Sequence, residues 1–248
     1  MAGALIGQTR HGAARIDHFQ VFGERRTGTN FLHHVLESNF TIDGTTKYGW
    51  KHGFPTMPCI AESALIAVIV RDPFSWLSSL HNRPFAISHH GLGFSDFIRA
   101  EWYDEFVPKQ FGHARWGYGG MTRASHVANQ IDRHPLTGKR FANPLEMRTL
   151  KNRAFTGFLA RECNAVVIDY DRLKEDPEAV LDALAAAFDL PRSGPTAVPD
   201  RVGASGKPGE RVTREAISLD DRAFIVSSLD ADFEAWLGYR LETEPLAS

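Results

Sequence analysis

The segment that most constrains the fold is the seven-residue apolar run Ala64–Val70, rich in β-branched residues and closed by Arg71-Asp72-Pro73. A continuous run of this length, without polar alternation, has to be covered on both faces, which is the place of a central strand in a parallel sheet. Pro73 has a fixed φ and no N–H to donate, so it suits the first turn of a helix, expected over 73–80. Two other runs follow the same pattern. Residues 16–22 lead into a glycine-containing segment and then into helical spacing over 30–38 (Phe31, Leu32, Val35, Leu36). Residues 165–168 lead into Asp169-Tyr170-Asp171 and the helical stretch Pro177–Phe188, which Pro191 is expected to stop. Strands alternating with helices predict an α/β fold around a mainly parallel sheet.

The rest of the chain is less regular. Residues 83–144 are rich in Gly, His, Arg and aromatics (His89, His90, Trp102, Trp116, Tyr118). At about 60 residues this is long for a connection, so it is expected to contain helices, one over 94–106, and to cover one edge of the sheet. A helix is expected over 143–161, a Pro- and Gly-containing loop over 191–209, and a final helix near 219–237. The whole of 1–248 reads as one domain. The 28 basic against 30 acidic residues give a net charge of −2, without the basic excess of a nucleic-acid binder. Any anion site must therefore be local. No run approaches the roughly 20 apolar residues needed to span a bilayer, and residues 1–15 do not resemble a secretory signal. Cys59 and Cys163 are too few for a disulfide framework or a zinc site. The expectation is a cytoplasmic protein with both thiols reduced.

Strand, glycine loop, helix is the order of a phosphate cradle, in which converging backbone N–H groups and a helix N-terminus receive an anion. The loop reads Gly23-Glu24-Arg25-Arg26-Thr27-Gly28-Thr29-Asn30, with its glycines in GxxxxG spacing. Thr29 and Asn30 stand where an ATP- or GTP-binding loop has Lys and Ser/Thr, so the lysine and the magnesium-binding hydroxyl are both missing. A cation lies inside the loop instead, at Arg26. The plain alternative is a charged turn that happens to precede a helix.

Arg26-Thr27-Gly28-Thr29-Asn30-Phe31 resembles the 5′-phosphosulfate loop of sulfotransferases that use 3′-phosphoadenosine 5′-phosphosulfate (PAPS). Arg71-Asp72-Pro73, with Ser79 eight positions after Arg71, is similar to that family's site for the 3′-phosphate. Residues 167–173, followed by Glu175-Asp176-Pro177, resemble its later strand and helix. Residues 201–207, with Arg201 and Lys207, resemble its late glycine loop. The resemblance implies a three-layer fold of the P-loop type. It also implies PAPS as cofactor, 3′-phosphoadenosine 5′-phosphate (PAP) as product, and no metal. The implied cofactor-binding residues are Arg25, Arg26, Thr27, Gly28, Thr29, Asn30, Arg71, Ser79, Arg201 and Lys207.

In such a transfer positioning and electrostatics dominate. Arg26 is the candidate to stabilise charge on the bridging and sulfuryl oxygens. Lys51-His52-Gly53-Phe54-Pro55 resembles the family's Lys-x-His-x-Pro segment, with histidine three rather than two positions before proline. His52 is thus the candidate general base, with Glu24, His89 and His90 as rivals. The acceptor is expected to be a small molecule or carbohydrate with a hydroxyl or amine. Trp102, Trp116 and Tyr118 either stack on it or belong to the core. The competing functions are a P-loop kinase or nucleotide-binding protein using ATP, and a PAP-binding module without catalysis.

Overall fold

The computed structural model describes residues 3–82, 91–102, 105–106, 129–130, 132–199 and 212–243. From the N-terminus the elements are β1 (Gly7–Thr9), β2 (His18–Phe22), α1 (Thr29–Asn39), β3 (Asp43–Gly44), β4 (Ala64–Val70) and α2 (Pro73–Asn82). The short elements α3 (Phe94–Arg99), β5 (Glu105–Phe106) and β6 (Asn129–Gln130) follow. The chain continues with α4 (Pro144–Thr156), β7 (Asn164–Asp169), α5 (Tyr170–Glu175), α6 (Pro177–Phe188), α7 (Leu219–Ser228) and α8 (Ala231–Trp236).

The five-stranded sheet runs in the order β1-β7-β4-β2-β3. β2, β3, β4 and β7 are parallel, and β1 lies antiparallel on β7. The protein is therefore α/β with a mixed, mostly parallel sheet. All seven residues of β4 are buried, and the pleat divides them. Leu65, Ala67 and Ile69 join Leu32, Val35 and Leu36 of α1 and Val180, Leu181 and Leu184 of α6. Ile66, Val68 and Val70 join Phe155 of α4 and Phe158 on the opposite face. Each such buried aliphatic side chain contributes about 1.5–3 kcal/mol, so this strand anchors both faces.

Helix starts follow local chemistry. Asn143 accepts from the backbone N–H groups of Leu145 and Glu146, both at 2.9 Å, ahead of Pro144. Asp176 caps α6 through Ala179 N–H at 3.1 Å, and Asp72 accepts from Ser75 N–H at 2.9 Å at the start of α2.

Two expectations change. The helix expected over 94–106 ends at Arg99, because Trp102 turns to exchange backbone hydrogen bonds with Phe141 (2.8 and 3.2 Å). β5 and β6 then pair antiparallel. α3 packs with α2, α4 and α7 in a separate helical core, because its apolar Phe97 and Ile98 meet Trp76, Leu80 and Leu145 there. The final helix is two helices, since Leu229 is extended and Asp230 caps a new start through Phe233 N–H at 2.9 Å. α6 spans Pro177–Phe188 as expected, and Asp189, in the left-handed region at φ 53°, closes it ahead of Pro191. Residues 191–199 are tied to α1, as Asn39 both donates to and accepts from Ala197 (2.7 and 2.9 Å).

No helix among the described residues is long and apolar enough to cross a membrane. Cys59 is exposed and Cys163 buried, and both are free thiols.

Candidate anion-binding site

After β2 the chain connects through α1 to β3 on one side. It then crosses back to β4 on the other side, so the strand order reverses at β2. In open α/β sheets such a reversal leaves a crevice outside the carboxyl ends of the strands. Residues 23–30 leave β2 there and Arg71 leaves β4 there, on neighbouring parallel strands in register (Phe22 opposite Val68).

The loop fits its surroundings closely. A Cβ on Gly23 would lie 2.5 Å from the Ile69 carbonyl oxygen, and one on Gly28 would lie 2.3 Å from the Tyr170 ring. Gly28 also takes φ 99°, which disfavours any side chain. α1 begins at Thr29 with no side-chain cap on its N-terminus and no acidic residue in its first turn. Its positive pole therefore faces the loop uncompensated.

Arg26 is half-buried and left-handed, at φ 70°. Its Nε donates to Ser79 Oγ at 3.2 Å, and its carbonyl oxygen accepts from Arg71 Nη1 at 3.2 Å. The two motifs separated in sequence thus meet directly. The Arg71 guanidinium lies 4.7 Å from the centroid of the Tyr170 ring, and its Nε is buried without a hydrogen-bond partner among the described residues. The Arg71 carbonyl oxygen accepts from Arg148 Nη2 at 2.8 Å. Asp72 pairs with Arg214 at 3.1 Å rather than with Arg71.

The other loop residues divide. Arg25 and Thr27 turn inward. Arg25 Nη1 donates to Asp132 at 2.7 Å, and the Thr27 hydroxyl donates to the Glu24 carbonyl at 2.7 Å. Asn30 is exposed and its Oδ1 accepts from Lys51 Nζ. Burial lowers the Lys51 ammonium below its ordinary value. Lys51 lines a cleft of about 200 Å³ with Gln20, Asn30, His33, Thr45 and Thr46.

His52 is half-buried. Its Nδ1 lies 2.7 Å from the Gly23 carbonyl oxygen. A carbonyl only accepts, so Nδ1 carries the proton and, in the neutral ring, the lone pair is on Nε2. Burial first, then Arg25 and Lys51, hold the imidazole well below its ordinary value, so the neutral form prevails at neutral pH. These contacts place His52 beside Gly23 and Trp50 (ring centroids 5.6 Å apart). They do not bring it to Arg26 or Ser79. Glu24, a rival base, is fully buried and accepts from Lys151 at 2.6 Å. Trp102 is fully buried and belongs to the core. His89, His90, Trp116, Tyr118, Arg201 and Lys207 lie outside the described residues.

Sequence reasoning missed Lys51 and Tyr170 as members of this site. Tyr170 follows β7 directly, on the same edge as the loop, so its position after a third parallel strand was the available signal. Among the described residues no group of three His, Cys, Asp or Glu side chains gathers as metal ligands. Compared with protein-family models, curated proteins and solved structures, the chain matches none.

Proposed function

We propose that the chain is a PAPS-dependent sulfotransferase with a three-layer fold of the P-loop type. The observation that carries this reading is the junction of Arg26, Ser79 and Arg71 at the uncapped start of α1. A PAPS molecule has two anionic ends, and this crevice has two arginines fed by neighbouring strands. The loop amides and Arg26 receive the 5′-phosphosulfate, and Arg71 with Ser79 receives the 3′-phosphate. The Arg71 Nε, buried with no partner among the described residues, supports a dianion there, since guanidinium is suited to bidentate contacts. Thr29 and Asn30, standing where an ATP-binding loop has lysine and a metal-binding hydroxyl, disfavour ATP.

In the reaction an acceptor hydroxyl or amine attacks sulfur and the bond to the 5′-phosphate oxygen breaks. The acceptor proton passes to His52 Nε2, and PAP leaves. Arg26 meets the charge that grows on the leaving oxygen. Lys51, on the Asn30 side of the loop, adds a second cation next to a cleft that Gln20, His33, Thr45 and Thr46 also line. The second reading, a PAP-binding module without chemistry, is favoured by the contacts of His52, which run to Gly23 and Trp50 rather than to Arg26.

The test is thermal unfolding with PAP, AMP and ATP. At a hundred times its Kd a ligand adds about 2.7 kcal/mol, which raises Tm by roughly 5–11 °C at this chain length. PAP should give that shift and AMP and ATP much less. Equal shifts for PAP and AMP would sink the reading.

A further inference from the structure

Arg25 and Arg26 are consecutive, yet one points into the protein and the other towards the crevice. The cause lies beneath the loop. Glu24, Arg25, Asp132 and Lys151 are 0, 4, 1 and 0% exposed and form a closed ring. Lys151 Nζ lies 2.6 Å from Glu24 Oε2 and 2.6 Å from Asp132 Oδ1. Arg25 Nη1 lies 2.7 Å from Asp132 Oδ2 and 3.1 Å from Glu24 Oε1. Two acids and two bases leave no net charge, and each of the four carboxylate oxygens faces a cation. Trp50 closes one side, with Arg25 at 4.8 Å and Lys151 at 5.6 Å from its ring centroid.

The ring also holds backbone. Glu24 Oε1 accepts the Arg25 N–H at 2.8 Å, and the Arg25 carbonyl oxygen accepts from Trp76 Nε1 at 2.8 Å. The peptides on both sides of Arg25 are thereby fixed before the chain turns left-handed at Arg26. Exchanging a buried ion pair for apolar groups of similar volume is often neutral or stabilising. Stability alone therefore does not call for the ring, and what it adds is geometry. Resting on the reading of 23–30 as the phosphate loop, we propose that Lys151 is a positioning residue for the cofactor. Acting through Glu24 and Asp132, it locks the first half of the loop so that Arg26 alone of the two arginines faces the anion.

The test pairs amide hydrogen exchange with PAP binding in the Glu24→Met/Lys151→Met double variant, which removes one acid and one base together. Tm should stay close to wild type and β4 amides should stay protected. Exchange across 23–30 should speed up at least tenfold, and PAP should bind at least tenfold more weakly. Loop exchange and PAP affinity both at wild-type values would overturn the proposal. Should the double variant also lose protection in β4, Glu24→Gln decides. It keeps the side-chain shape, and acceleration of threefold or more confined to 23–30 is expected, while unchanged loop exchange overturns the positioning role. Exchange is read without nucleotide. A wild type that fails to prefer PAP over AMP therefore counts against the sulfotransferase reading, while loop exchange still judges Lys151.

Discussion

The two sides of the loop at 23–30 are built from the same residue types and do opposite things. Beneath it, Arg25 and Lys151 meet Glu24 and Asp132 in a dry ring where every charge is answered by its opposite. At its mouth, Arg26, Arg71 and Lys51 give hydrogen bonds to neutral oxygens: a hydroxyl, a backbone carbonyl and an amide. A buried charge must be matched by an opposite charge, whereas a charge near solvent can be held by neutral groups until a ligand anion replaces them. Arg25 is thus an anchor through its buried carboxylate partners, and Arg26, one peptide on, is the arginine proposed to meet a ligand.

The largest expected effect breaks the inner side. Lys151→Met alone leaves Glu24 and Asp132 buried with one cation between them, and should cost about 3–5 kcal/mol of stability in denaturant unfolding. A loss under about 1 kcal/mol would mean that the four groups do not act as one closed charge system. Breaking the outer side should spare the fold. Arg71→Ala should unfold at nearly the wild-type denaturant concentration, yet lose most of its preference for PAP over AMP. The lost charge-assisted contact is worth about 1.5–3 kcal/mol, measured by titration calorimetry with both nucleotides. Full PAP preference in folded Arg71→Ala protein would move the 3′-phosphate site elsewhere.

The smallest effect sharpens the boundary between the two sides, where His52 sits. Its folded-state pKa lies below the ordinary histidine value, so the unfolded chain binds the proton more readily. Its contribution to stability is complete above about pH 6.5, the unfolded value, and is lost as pH falls from there towards the lowered folded value. His52→Gln should flatten that part of the stability–pH curve. An unchanged slope would place the imidazole in solvent rather than in the field of Arg25 and Lys51.

Much of the frame was legible because its signals are local. Ala64–Val70 could only be an interior strand, Pro177 and Asp176 set the start of α6, and two glycines between β2 and α1 marked the loop. Where reading failed, a distant partner had overruled local pattern. The helical spacing after Phe94 continues past Arg99, but Trp102 is claimed by Phe141. Nothing near Arg25 reveals that it turns inward, because its partner Asp132 lies 107 residues away, and Glu24 meets Lys151 across 127. Tyr170 reads as part of a strand-to-helix connection until the sheet order brings it under Gly28.

The sequence by itself determined the alternation of strands and helices, the central strand, and a glycine loop carrying an internal arginine. These follow from periodicity, backbone freedom and capping, all acting within a few residues. Only the tertiary structure decided that Arg26 donates to Ser79 while its carbonyl oxygen accepts from Arg71, and that Arg25 is an anchor. It also decided that the histidine beside the loop is held neutral. Each of those depends on burial and on charges contributed by other elements, and burial is a property of the packed chain rather than of any segment in it.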